Sequence, residues 1–142
     1  MLLTPDKSRC EKHQKIIVSK DLKVPREHRA INENQMYEVR QYRLDGDVIQ
    51  QEKCCDFLVI NDTLKKAYFI ELKGQNIDEA VKQLEAGENK CKSELSGYTF
   101  FYRIVASQVR TLKLNSNGYR KFQNKCGSRL ICKSSKIEEK LN

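Results

Sequence analysis

Residues Cys55–Gly74 read CDFLVINDTLKKAYFIELKG, and the reading of this stretch decides the fold. Cys55–Ile60 is an unbroken apolar run, Asn61-Asp62-Thr63 is a turn signal, and Ala67–Lys73 is a second apolar run. Two such runs joined by a polar turn predict an antiparallel hairpin. Their continuous hydrophobicity predicts that both faces are covered, as in the middle of a sheet. After Gly74 the period changes, and Ile77, Ala80, Val81, Leu84, Cys91 and Leu95 fall near one helical stripe. Asn76 with Glu79 three residues on forms a capping box, and Ser96-Gly97 ends the helix.

Working outward, Met36–Leu44 has strand character, and Asp45-Gly46-Asp47 predicts a hairpin turn into Val48–Gln51. Upstream, residues 1–15 are polar, Lys15–Ser19 is a short apolar run, and Pro25–Asn34 is expected to form a short helix with Pro in its first turn. Downstream, Tyr98–Ser107 predicts a strand, Gly118–Cys126 a short basic helix, and Arg129–Lys133 a last strand. The expected class is α/β, a central mixed sheet flanked by helices in the order αβββαβ. At 142 residues the chain suits one domain, with a core over 32–107 and a basic helix and strand over 116–136.

The hydrophobic share of 39% and charged share of 32% fit a globular chain, and no apolar run nears the roughly 18 residues of a membrane span. The start, MLLTPDKSRCEKHQK, shows no secretory core, so the cytoplasm is the expected location and no membrane partner is expected. Lys and Arg number 27 against 19 Asp and Glu, a formal charge of +8, which favours polyanionic partners. Six cysteines without a CxxC pair read as reduced, partly buried thiols rather than a zinc site or disulfide framework. The two histidines, His13 and His28, are expected at the surface.

Within FIELKG, Glu71 and Lys73 are two apart and share one face of a strand, while Ile70 and Leu72 take the other. A charged pair among apolar residues is costly for a plain core strand. Asp56 opens the preceding strand, and the hairpin can bring it beside Glu71. Two carboxylates and an amine at one point of a sheet suit phosphodiester hydrolysis. The carboxylates are hard ligands of the kind Mg²⁺ takes, and an amine can orient the attacking water. The E-x-K pattern alone says little, since Glu88-Asn89-Lys90 repeats it on the helix. The bland alternative is an edge strand carrying a surface ion pair.

The stretch CDFLVI, ten residues, ELKG and the following helix with AVKQL resembles the core of the PD-(D/E)xK nuclease superfamily, which includes restriction endonucleases and Holliday-junction resolvases. Cys55 stands where that motif often has Pro. The resemblance implies a nuclease dependent on Mg²⁺ or Mn²⁺, with DNA favoured over RNA as substrate. Asp56 and Glu71 would hold the metal, Lys73 would serve the water, and Gln83 would stand near the site. It also implies a further acidic ligand on a helix before the sheet, for which Glu33 is the candidate and Glu27 and Glu38 its rivals. Arg120, Lys121, Lys125, Arg129 and Lys133 are candidates for contacting nucleic acid, with a solvated basic face as the alternative. Tyr98, Phe100, Phe101 and Tyr102 suit the core better than base stacking. A non-catalytic binding module on the same fold, and a toxin domain held by an immunity protein, are the rival functions. A homodimer and an accessory partner both stay open.

Overall fold

The computed structural model describes the whole chain except Val24, Gly74, Gln75, 108–115 and the side chain of Lys73. Five strands form the central mixed sheet: β3 (Val39–Arg43), β4 (Phe57–Asn61), β5 (Lys66–Lys73), β6 (Thr99–Ala106) and β7 (Leu130–Ser134), adjacent in that order. The first three are antiparallel neighbours, and β5, β6 and β7 run parallel. The FLVIN run of β4 is buried at every position, as its unbroken hydrophobicity requires.

Helices α1 (Ile77–Cys91) and α2 (Asn117–Cys126) cover one face of this sheet. The Asn76 side chain caps α1 by accepting the Glu79 N–H at 3.0 Å. Along α1 the buried stripe is Ile77, Ala80, Val81, Leu84, Gly87 and Cys91, packed on Leu44, Leu58, Ile60 and Phe69. Asp78 joins the helices, accepting the Ser116 hydroxyl at 2.6 Å and the Tyr119 N–H at 3.2 Å.

The other face is covered by a second sheet, where the sequence reading expected helix. Strands β1 (Ile16–Lys20) and β2 (Glu27–Ile31) pair antiparallel, and β8 (Lys136–Lys140) lies parallel to β2. Pro25–Asn34 is therefore not a helix: it holds β2 and a single 3₁₀ turn, Glu33–Gln35. The αβββαβ expectation fails at its first helix, and the molecule is α/β with two mixed sheets and, among the described residues, two α-helices. In β2 the inward residues are only His28 and Ala30, so the strand has no hydrophobic signature. Strand β8 went unread for the same reason, since Ile137 alone of KIEEK is buried. Val48–Gln51 is a turn rather than a return strand, joined to Asp45 by one isolated bridge at Ile49.

Polar links tie the layers. Gln41 donates to the Val18 carbonyl and the Ser19 hydroxyl, and Asn61 donates to the Leu141 carbonyl. His28, expected at the surface, is fully buried with Nε2 at 2.7 Å from Glu139. The aromatics of β6 serve the interior: Phe101 stacks on Tyr68 and Tyr102 packs edge-on against Phe122. Tyr98 donates to Asp62 at 2.5 Å. All six cysteines are free thiols. Among the described residues no helix is long and apolar enough to cross a membrane.

Candidate active site

The β4–β5 ladder ends at Phe57 opposite Ile70, so the next pair across the same register is Asp56 and Glu71. Residues opposite one another in an antiparallel ladder share a face, here the face carrying Leu58 and Phe69 under the helices. The Asp56 Oδ2 accepts the Leu72 N–H at 2.8 Å, which fixes the carboxyl against β5. The Glu71 side chain stands beside it, and both carboxyl groups line one cavity. Glu71 is only 5% exposed. Its charge is placed at the sheet end by sequence parity alone, because Ala67 and Phe69 of the same face are core residues.

The pair opens into a cavity of 340 Å³. Asp45, Glu79, Gln83 and Cys54 stand in its wall, together with the cations Arg26 and Lys53. Among the described residues of its wall, four carboxylates against two cations make this hollow acidic in a basic molecule. Burial pushes the Asp56 carboxyl above its ordinary value of 3.8. The Leu72 N–H opposes that rise, Asp45 adds to it, the neighbouring Glu71 side chain opposes it, and Asp21 adds a little more. Burial likewise pushes the Cys54 thiol up to about 12, with Asp45, Cys91, Glu71 and Asp56 adding to the rise. Cys54 is therefore a neutral wall of the cavity, not a nucleophile.

The structure brings Asp56, Glu71 and Gln83 together as the sequence suggests. The Lys73 backbone closes β5 opposite Ala106, and its side chain lies outside the described residues. Glu33 is a correction. It sits in the 3₁₀ turn after β2, forms an ion pair with Lys140 at 2.7 Å, and is absent from the described cavity wall. Its rivals are engaged elsewhere, Glu27 with Arg29 and Glu38 with Lys12. Sequence reasoning missed Asp45, Arg26, Lys53 and the cavity role of Glu79. Asp45 was visible only as a turn residue and Glu79 only as a cap.

The expected nucleic-acid residues lie apart from this cavity. Arg120, Lys121, Lys125 and Lys133 are exposed, and none stands in its described wall. Lys121 and Lys125 border a separate groove of 410 Å³ between the helices, which also holds Lys82 and the acids Asp78 and Glu85. Arg129 is structural, donating to the Phe100 carbonyl at 3.0 Å beside the Tyr102 ring.

The donor set bears on a metal. Two carboxyl groups side by side at the sheet end disfavour each other's charge, and a divalent cation meets that electrostatic demand. Among the described residues no three His, Cys, Asp or Glu side chains converge as a ligand group. Mg²⁺ does not require three, because it is usually held by one or two carboxylates and keeps several waters. Asp56 and Glu71 thus fit such an ion. No protein-family model, no curated protein and no solved structure matches this chain.

Proposed function

We propose that the chain is a nuclease that hydrolyses phosphodiester bonds in nucleic acid with Mg²⁺ or Mn²⁺. The observation that carries the reading is the Asp56–Glu71 carboxyl pair, set side by side at the end of the sheet, Glu71 buried and Asp56 half-buried, within an acidic cavity. Such pairing costs stability, and costs of this kind concentrate at functional sites. Asp56 and Glu71 would hold the ion. When bound, it supplies charge neutralisation at the phosphate and a water of lowered pKa.

The remaining steps belong to the chain. The Leu72 N–H holds one Asp56 oxygen against β5, so less rotamer freedom is lost when an ion binds. Gln83 offers both an amide donor and an acceptor to the cavity, suited to orienting a water or a phosphate oxygen. Lys53 and Arg26, in the wall, offset negative charge that builds on a phosphate. In the resemblance Lys73 serves the attacking water, a role its place two residues after Glu71 supports.

The test is cleavage of labelled plasmid, single-stranded DNA and RNA in Mg²⁺ or Mn²⁺. Activity should vanish with EDTA and fall on the order of a thousandfold in Glu71→Gln, which keeps the side-chain shape. A folded wild-type protein that takes up Mn²⁺ by calorimetry yet cuts none of these substrates overturns the reading. Lack of Mn²⁺ uptake points instead to the non-catalytic binding module.

A further inference from the structure

Across the sheet end from the carboxyl cavity lies a second hollow of 250 Å³. Four cations line it, Arg9, Lys20, Lys23 and Arg43, and it shares Asp56 and Leu72 with the first. The four come from separate places. Arg43 ends β3, Lys20 ends β1, and Lys23 lies in the turn between β1 and β2. Arg9 belongs to the N-terminal segment, docked on β3 by its N–H to the Gln41 carbonyl at 2.7 Å. All four are exposed, and none has an ion-pair partner among the described residues. Like charges gathered without partners repel and raise a local positive potential that draws anions.

Of the two acids in this wall, Asp56 belongs also to the carboxyl cavity, and Asp21 does not cancel the cations. Its carboxylate pairs with Arg26 at 3.2 Å and accepts the Lys23 N–H at 2.9 Å, so it builds the turn. That turn stands between the hollows: Arg26 faces the acidic one, and Lys20 and Lys23 face the basic one. Leu22 beside them is 91% exposed and lines the basic hollow. Cations spread over several elements along an open groove suit a backbone that carries successive phosphates better than a lone anion. The volume is below the roughly 300–1,000 Å³ of pockets that enclose whole small ligands. It fits a stretch of chain passing through.

We infer that this basic hollow holds the sugar–phosphate backbone of a polynucleotide next to the bond presented to Asp56 and Glu71, the strand crossing the sheet end beside the β1–β2 turn. The identity of the neighbouring bond rests on the nuclease reading, but the hollow itself is tested by binding. Fluorescence anisotropy of a labelled single-stranded oligonucleotide, with EDTA present, separates binding from cleavage. Reversal of Arg43→Glu with Lys20→Glu should weaken binding about tenfold or more and lower the salt slope by about one to two. The milder pair Arg43→Ala with Lys20→Ala, checked for an unchanged melting curve, should act in the same direction. Lys121→Glu with Lys125→Glu on α2 should cost clearly less. Unaltered affinity in both Arg43–Lys20 pairs, or an equal loss from the α2 pair, overturns the inference. Displacement of the strand by inorganic phosphate at equal phosphate concentration also overturns it, since a plain anion site would behave so. A strand held through these side chains but never cut in Mn²⁺ supports the inference while sinking the nuclease reading. A strand cut with unaltered affinity does the reverse.

Discussion

At Asp56 a half-buried carboxyl group stands beside Glu71 and in the field of Asp45 and Asp21, although a neutral amide there would still accept the Leu72 N–H. At neutral pH the charge is therefore a cost to the metal-free fold, not a support. Asp56→Asn should raise the stability of the metal-free protein on the order of 1 kcal/mol, about 2–4 °C in melting temperature, while abolishing cleavage and Mn²⁺ uptake. A fall in melting temperature would mean that the carboxylate is structural. The residues of the carboxyl pair were legible because strand parity and hairpin register are short-range facts: Asp56 and Glu71 had to meet if the hairpin formed. Glu33 was misplaced because its choice depended on a helix that the chain does not make. Asp45, Arg26 and Lys53 were illegible for another reason. They lie in turns and irregular segments, and no period carries information about where those segments come to rest.

Helix α1 was readable from its Asn76 cap along its buried stripe, because a 3.6-residue period over four turns cannot be mistaken for a strand, but it ends at Cys91 and passes into a 3₁₀ turn, Lys92–Glu94, short of the expected Ser96-Gly97. Gly87 lies on that stripe where the helix presses closest to the sheet. A Cβ added there would meet the Cys55 Sγ at 2.5 Å, and Cys55 is fully buried. Alanine is favoured over glycine in a helix by about 1 kcal/mol, but the overlap forces either the thiol or the helix to move. Gly87→Ala should lower stability by about 1–3 kcal/mol. The double variant with Cys55→Ala should recover most of that loss, as a double-mutant cycle by thermal melting would show. Equal losses in the single and double variants would locate the clash elsewhere. The strands of the second sheet were the illegible elements. β1 alternates clearly, but β2 shows only His28 and Ala30 to the interior and β8 only Ile137. Their pairing is decided by the face of β4, β5 and β6 that they cover, which is a tertiary fact.

Across the whole molecule, the second sheet must stay seated for β1 and the β1–β2 turn to hold Lys20 and Arg26 beside the two hollows, and one buried charge network spans that seam. Arg103 of β6, 4% exposed, donates through Nε and Nη2 to Glu139 of β8 at 2.7 and 2.9 Å, while His28 of β2 reaches the same carboxylate. The guanidinium also lies beside the Tyr68 and Phe101 rings. Burial by itself would raise the Glu139 carboxyl, but the hydrogen bonds from His28 and Arg103 outweigh it and hold it at about 2, below its ordinary 4.5. A carboxyl whose value is lowered by folding contributes stability that is fully present above the unfolded value. That contribution is lost as protons are forced on, here as pH falls from about 4.5 toward 2. Denaturant melts of the wild type should therefore lose stability steadily through that window. Glu139→Gln should be flatter there and weaker throughout, by about 3 kcal/mol or more, because it leaves Arg103 buried without its counter-charge. Pairing it with Arg103→Met should restore much of the loss, since no orphaned cation remains. If Glu139→Gln instead kept wild-type stability at neutral pH, the seam would be held by Ile17, Ala30, Ile137 and Leu141 packing alone, and the placement of the basic turn would owe nothing to this network.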